Sequence, residues 1–542
     1  MAATGNGTAG GGANGGGRRR VGIFGWGIVA PRSANVEEFA ANLTAGGSWL
    51  EPFEDFGPNN FLVGLPKCDF ADYRGWFDER HAPNRYPRLV EKMDPTTLFA
   101  VAAFIQALGQ NPGLEDELRR LGDAAHVYVG TGLGALPTVF DQSIAYHRAW
   151  RRWNYFWAQP ERNAALTRYL EDGEPPAGAA PDAVPRNPSE VVRGEGRNLA
   201  EETWDAFWTE RSALLAEYLD DLEEIESIGV TGDVEAGKRK VLREKQRRHL
   251  RLRDKYGAPD PPWAAVSPNL LWNIHNTPAS QISIAGGITG AAFAPAAACS
   301  TFGVSLKLAI DAIRRGEAKA VVMGATDPPP HPLTVSAFFN ARVLAAHRGV
   351  SKPLSELRGT HVSGGAALWI VGDWEHMTAR GFRPLGLEPL AVGVTSDADH
   401  IITPSKQGPQ QAIRAALAAA AVSPADVAGW DQHATATPGD YLEVENLREL
   451  LPESVLVTAR KGTFGHGMGA SGGWELTAQY LGYAEGRLAP TPLAEGELNE
   501  MIGGLHRRFV FDAGCAATGS VVGKLSMGVG GINACVVSRP WG

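Results

Sequence analysis

Three short segments, far apart in the 542-residue chain, carry side chains able to do covalent chemistry: Ala298-Cys299-Ser300-Thr301, His433-Ala434-Thr435-Ala436-Thr437-Pro438-Gly439-Asp440 and Lys461-Gly462-Thr463-Phe464-Gly465-His466. One cysteine and two histidines, each in a loop of small residues, fit a thiol nucleophile served by two imidazoles. Cys299 precedes a stretch, Phe302 to Arg315, with helical periodicity and few breakers. A cysteine at a helix N-terminus feels the positive end of the helix dipole, which lowers its pKa and raises its thiolate fraction. Thr435 and Thr437 alternate with alanines, so their hydroxyls can face one side. His466 leads into Gly467-Met468-Gly469-Ala470-Ser471-Gly472-Gly473, where the glycines imply close backbone approach or positive φ. Singly, each residue has a plainer reading: a small buried core cysteine, structural loop histidines, a solvated lysine at 461. Only the combination points to chemistry.

The elements that must position these loops alternate between strand and helix. Val21 to Gly27 reads as an apolar strand, Asn35 to Leu43 as a helix capped by Asn35, Leu98 to Leu108 as an alanine-rich buried helix, and His126 to Val129 as a strand running into the turn Gly130-Thr131-Gly132-Leu133-Gly134. Ile282 to Ala285, Ala320 to Met323 and Ala366 to Val371 read as further strands. The pattern then starts again, with Ala391 to Val394 as a strand, Gln410 to Ala421 as a helix and Val455 to Thr458 as a strand. This is an α/β protein with helices packed on sheets. Two similar halves are expected, although no sequence repeat is visible.

Residues 141–262 differ in character and read as an insertion. Trp150, Trp153, Trp157, Trp204 and Trp208 cluster there. Glu201 to Glu226 is an acidic helical pattern and Glu235 to Tyr256 a strongly basic one, joined at Gly229-Val230-Thr231-Gly232, which suggests a helical hairpin. The tryptophans read as packing for the insertion or a dimer contact. The basic run has two readings: a solvated helix paired with the acidic one, or a docking surface for an acidic partner.

Composition sets outer limits. The hydrophobic share of 44% and charged share of 20% are ordinary for a globular protein. The net charge of −9 argues against general nucleic-acid binding. The four cysteines, Cys68, Cys299, Cys515 and Cys535, show neither CxxC pairing nor dense spacing, so a disulfide framework, a zinc site and a metal cofactor are not expected and a reducing, cytoplasmic setting is. Residues 1–17 read as a disordered glycine-rich tail, not a signal peptide. No apolar run reaches the ~18 residues a spanning helix needs, so membrane insertion is not expected.

The three segments together resemble the ketosynthases, the decarboxylating condensing enzymes of fatty-acid and polyketide synthesis. Members carry a small-residue loop around the cysteine, a histidine–threonine–threonine–aspartate segment and a lysine-to-glycine–histidine segment. Ser526-Met527-Gly528-Val529-Gly530-Gly531-Ile532-Asn533 resembles the family's final glycine-rich loop, and Ser396-Asp397-Ala398-Asp399-His400 another loop of the second half. The resemblance covers about 18–140 and 263–542.

It implies a thiolase fold, five alternating α-β-α-β-α layers from two pseudo-repeated halves (18–374 and 375–542), with the helical insertion in the first. It implies that Cys299 is acylated by a thioester, that His433 and His466 stabilise the enolate formed as a malonyl thioester loses carbon dioxide, and that Lys461 orients the His466 region. By the same analogy the N–H groups of Cys299 and Val529 form an oxyanion hole, Thr435 and Thr437 contact the pantetheine arm, and Asp440 and Glu443 brace the loop. No redox cofactor or metal is implied. Acyl carrier protein would be a partner, with docking at 238–255, and the protein would be a homodimer.

Departures from the pattern matter. Ala434 follows His433 where glycine is usual, Val529 replaces a phenylalanine gate, and Ser363-Gly364-Gly365-Ala366 lacks an acid at Gly365, which questions how the lysine is braced. A priming enzyme that uses acyl-CoA and a non-catalytic partner subunit akin to chain-length factors are the alternatives. Degradative thiolases need a Cys-x-Gly motif that neither Cys515 nor Cys535 provides, and Cys-His-Asn synthases are set aside by His466.

Overall fold

The computed structural model describes residues 18–57, 60–191, 194–230 and 234–541. The tail at 1–17 and part of the 229–232 link lie outside the described residues. The chain divides into two compact units. One comprises residues up to Pro137 with those from Leu271 onward; the other is Thr138–Leu270.

The first unit is built on two five-stranded sheets. Strands β1 (Val21–Val29), β2 (Ala125–Gly130), β3 (Ala292–Phe293), β4 (Ala320–Asp327) and β5 (Gly365–Asp373) form the first, in the order β3-β2-β4-β5-β1. Strands β6 (Glu388–Ser396), β7 (Val427–Asp431), β8 (Leu456–Thr458), β9 (Val521–Gly528) and β10 (Ile532–Arg539) form the second, in the order β8-β7-β9-β10-β6. β4 and β5 are buried along their whole length. Such strands need apolar side chains on both faces, and both faces have them. Val321, Met323, Trp369 and Val371 face one core, while Val322, Leu368 and Ile370 face another.

Helices occupy three layers around these sheets. Helices α1 (Pro95–Gly109) and α2 (Thr277–Gly286) cover the outer face of the first sheet, where Ala100, Phe104, Ile282 and Ala285 meet Val127 and Val322. Helices α3 (Thr301–Arg315) and α6 (Met468–Glu485) lie between the sheets, burying Phe302, Leu306, Trp474 and Tyr480. Helices α4 (Gln407–Ala420) and α5 (Gly439–Leu450) cover the second sheet, with Ile413, Leu417, Val444 and Leu447 packed on Trp430, Leu525 and Val537. The result is the five-layered arrangement of the thiolase fold.

One expected strand is absent. Ile282 to Ala285 lies inside α2, which begins with Pro278 in its first turn and ends at Gly287 in the left-handed region. Ile-Ser-Ile-Ala satisfies both periods over four residues, and the helix start supplied by Pro278 and the stop supplied by Gly287 decide it. Ile282 is buried while Ile284 is exposed.

The second unit is helical. Its acidic stretch is two helices, Glu195–Thr209 and Ala213–Glu226, not one; Ser212 caps the second by accepting from the Leu215 N–H at 3.2 Å. Trp153 and Trp157 pack with Tyr218, Leu222, Ile225 and Leu252, and Trp204 and Trp208 with Leu166. These four tryptophans are core. The acidic helix and the basic helix Val234–Tyr256 are tied by Lys245–Glu226 at 2.8 Å, Lys255–Asp221 at 2.6 Å and Arg248–Glu224 at 3.3 Å. Among the described residues, no helix is long and apolar enough to cross a membrane.

Candidate active site

Three loops at the ends of strands and starts of helices bring the expected side chains together. Cys299 sits in a single 3-10 turn, Ala298–Ser300, directly before α3. His433 follows β7, and His466 lies two residues before α6. The ligand-type atoms of Cys299, His433 and His466 lie within 4.8 Å of one another, and all three residues are buried. The imidazole rings meet edge to face, with centroids 5.3 Å apart and planes at 83°. The backbone is strained at each loop: Ala298, Ala436 and Met468 all have positive φ near +50°. Such conformations cost energy in a non-glycine residue and persist where surrounding structure enforces them.

Each imidazole has an identifiable tautomer. The Met468 N–H donates to His466 Nδ1 at 3.0 Å. That nitrogen is therefore the acceptor, and Nε2 carries the proton. His433 Nδ1 faces the Lys461 ammonium at 3.4 Å. An ammonium only donates, so Nδ1 accepts there too. Both rings then carry their proton on Nε2, which has no hydrogen-bond acceptor among the described residues. Burial and the Lys461 charge push both imidazole pKa values well below the ordinary range, so neither is protonated at neutral pH.

Burial also pushes the Cys299 thiol up, to about 11. This reverses the expectation of a lowered value. A helix end lowers a thiol pKa in proportion to its exposure to that field, while complete removal from water penalises the thiolate more strongly. Lys461 and the backbone N–H groups of Val529 and Cys299, which reach the sulfur, offset part of the penalty. Two N–H donors thus converge at the sulfur, one from the turn between β9 and β10 and one from the 3-10 turn before α3. Gly528 permits the approach: a Cβ there would stand 2.7 Å from the Ala297 carbonyl oxygen.

Lys461 is 2% exposed, which sets aside the solvated reading. Its Nζ donates to the His433 carbonyl and to Glu475 Oε1, the latter at 2.5 Å. Glu475, midway along α6, is the brace that the missing acid left open. No side chain fits at Gly365, where φ is +137° and a Cβ would stand 2.2 Å from the Val29 carbonyl. Lys524 joins the same buried cluster, at 2.8 Å from Glu475 and 3.6 Å from Asp431. Arg460 stands 3.4 Å from Asp431 and is fully buried.

Two further acids shape the His433 loop. Asp440 accepts from the N–H groups of Thr435 (2.8 Å), Ala436 (3.1 Å) and Leu354 (2.9 Å). Glu443 accepts from His433 (2.6 Å) and Ala434 (2.8 Å). Burial raises both, to about 6 and about 7. The Thr435 and Thr437 hydroxyls lie 3.0 Å apart. Asp327, at the end of β4, is a residue the motifs do not reveal. It accepts from Gly132 and Leu133 at 2.8 Å and from Gly469 at 2.7 Å, fastening the turn after β2 to the first turn of α6. The loop before α6 is further held by His361, whose carbonyl accepts from the His466 N–H at 2.7 Å. Val529 is 49% exposed, at the open side of the glycine-rich loop.

Fold and site together define a thiolase-fold protein with a buried Cys-His-His centre. The beta-ketoacyl synthase N-terminal domain matches residues 18–164 and 198–372, and its C-terminal domain residues 388–494. The chain belongs to the beta-ketoacyl synthase family. It is 32% identical over 221 residues to 3-oxoacyl-[acyl-carrier-protein] synthase 2 of Staphylococcus aureus (39% of this chain, 55% of that protein). It is 32% identical over 218 residues to nodulation protein E of Rhizobium meliloti (39% and 54%). The chain therefore spans about half the length of these curated relatives. The solved ishigamide ketosynthase/chain length factor superposes with a TM-score of 0.67 at 20% identity, covering 97% of this chain and all of the other, a likeness of fold.

Proposed function

We propose that this protein catalyses a decarboxylative Claisen condensation between an acyl thioester and a malonyl thioester. The carrying observation is a buried thiol with a ring nitrogen of each of two neutral imidazoles, all within 4.8 Å of one another, and both imidazoles carry their proton on Nε2. In the first stage the Cys299 sulfur attacks the acyl thioester carbonyl, its proton leaves with the departing pantetheine thiol, and an acyl-Cys299 forms. The Cys299 and Val529 N–H groups hold the tetrahedral oxyanion. In the second stage the bond from the malonyl α-carbon to its carboxylate breaks and carbon dioxide leaves. The electron pair passes into an enolate whose oxygen accepts from His433 and His466. Neutral, preorganised donors suit a step in which negative charge develops, in a buried site. The enolate carbon attacks acyl-Cys299, the carbon–sulfur bond breaks to give the β-ketoacyl thioester, and the departing thiolate takes up a proton from solvent to restore the thiol.

The other residues support these steps. Lys461, fixed between Glu475 and the His433 carbonyl, sets the His433 tautomer. Thr435 and Thr437 present paired hydroxyls to the pantetheine arm, and Asp440 and Glu443 shape that loop. The reaction needs neither metal nor redox cofactor, and the ammonium of Lys461 beside His433 opposes a cation at the thiol–imidazole centre. Carrier-protein thioesters are the substrates in this reading, supported by the name of the Staphylococcus relative; acyl-CoA priming is the alternative starter use. Val529, smaller than phenylalanine and half-exposed, supports entry of bulky or long acyl chains.

Association with a second copy belongs to the same reading. β3 is an edge strand with both residues exposed, and α2, which packs against it, exposes Ile284, a surface suited to being covered. Docking of an acidic carrier protein on 238–255 is narrowed to the basic residues with no ion-pair partner among the described residues: Lys238, Arg239, Lys240, Arg243, Arg251 and Arg253. Arg247 and Arg248 are engaged by Glu244. A cytosolic setting is supported by four free thiols.

The test is incubation of the purified protein with a malonyl carrier-protein thioester and a panel of acyl thioesters, with products read by mass spectrometry. A β-ketoacyl product is expected. Neither acylation of Cys299 nor loss of carbon dioxide with any donor would leave a non-catalytic partner subunit as the reading.

A further inference from the structure

The helical second unit contains a cleft of about 860 Å³ lined by Arg148, Arg151, Arg152, Tyr155, Glu201 and Asp205. One wall is the helix Leu136–Trp157 and the other the helix Glu195–Thr209. Its charges are unevenly committed. Arg151 pairs with Glu202 at 3.2 Å, and Glu201 with Arg197 at 3.0 Å. Arg148 and Arg152 have no carboxylate within ion-pair distance among the described residues. They are four residues apart, hence neighbours on one helix face. Tyr155 continues that face three residues beyond Arg152 and is 61% exposed. Asp205, across the cleft, is half-buried, and its carboxylate has no hydrogen-bonded partner among the described residues; burial raises it to about 6.

Two free guanidinium forks a helical turn apart match two adjacent phosphates, since each fork offers paired donors to phosphate oxygens. An exposed tyrosine on the same face supplies a stacking surface for a base. A carboxylate opposite supplies an acceptor for a hydroxyl or amine. We propose that this cleft binds a nucleoside diphosphate group, with Arg148 and Arg152 on the phosphates, Tyr155 against the base and Asp205 on the ribose or base donors. The group could arrive as a free nucleotide or as the nucleotide end of coenzyme A. The site stands apart from the condensing reading, because it uses no residue of the Cys299 centre.

Isothermal titration calorimetry on the full chain tests it, with ADP, coenzyme A, pyrophosphate and pantetheine 4′-phosphate as probes and no turnover involved. ADP is expected to bind, and Arg148→Ala and Arg152→Ala each to weaken it about tenfold, the worth of one charge-assisted contact. Tyr155→Ala should weaken ADP but leave pyrophosphate unchanged. All three side chains are exposed, and circular dichroism checks that the variants stay folded. Coenzyme A binding as well as ADP, with the same loss in the arginine variants, identifies the coenzyme as the source; ADP binding with coenzyme A excluded identifies a free nucleotide. Absence of ADP binding at millimolar concentration, or ADP binding unchanged in the Arg148→Ala/Arg152→Ala double variant, overturns the proposal. Failure here leaves the condensation assay untouched, so the two readings fall separately.

Discussion

Counted along the chain within its own half, each sheet has the strand order 3-2-4-5-1. The directions match as well. Strands 3, 2 and 4 run parallel in both sheets, and strands 4, 5 and 1 alternate antiparallel in both. The halves differ in what they put at equivalent places. Strand 3 of the first half leads to Cys299 and then α3; strand 3 of the second leads to His466 and then α6. Strand 2 of the second half leads to His433; strand 2 of the first leads to Thr131-Gly132, held by Asp327. A duplicated framework thus places a nucleophile and a hydrogen-bond donor at matching helix starts. In the proposed reaction the first half supplies the thiol that is acylated and the second supplies the donors for the malonyl charge.

That division can be broken from the second half first. His466→Ala and His433→Ala should each slow malonyl decarboxylation by about 100- to 1,000-fold, the usual loss for one oxyanion donor. Acylation of Cys299, measured by intact-protein mass, should persist in both. Glu475→Gln tests what holds the second half's donors. It leaves the Lys461 ammonium buried without its carboxylate, and such a loss costs about 3–5 kcal/mol, measurable as a lower denaturation midpoint in urea.

The Cys299 side is sharpened by pH. A thiol held near 11, with no imidazole free to accept its proton, exists as thiolate only in trace amounts at neutral pH. Its folded-state value is raised, so the reactive fraction grows as pH rises. Iodoacetamide labelling of Cys299 should speed up about tenfold per pH unit between about pH 7 and 9. A rate already flat at pH 7 would mean a thiolate–imidazolium pair and would undo the donor assignment. The smallest effect is expected at the proposed pantetheine contacts: Thr435→Val or Thr437→Val should raise KM for the malonyl thioester about 3- to 10-fold, with less change in kcat.

Much of the centre is legible in the sequence because its loops are built from small residues and glycines around a few reactive ones. Cys299, His433, His466 and Lys461 stand out in that setting. Glu475 and Asp327 do not. Glu475 is one acid inside a buried helix and Asp327 one acid at a strand end, and only the packing of α6 against β4 and β9 shows what they hold. The duplication is hidden for a related reason. It resides in strand order and direction, which apolar packing conserves without conserving residues. The helix at 282–285, where the pattern alone predicts a strand, shows the limit of short apolar patterns, which two flanking residues, Pro278 and Gly287, outweigh.

The most direct test of the divided site is malonyl decarboxylation by Cys299→Ala, followed as carbon dioxide release and acetyl thioester formation in the absence of any acyl donor. The account predicts that condensation is lost, by at least about 1,000-fold, while decarboxylation continues at a rate close to that of the unaltered protein, since the second half's donors remain. Loss of decarboxylation together with condensation in a folded Cys299→Ala protein would contradict it.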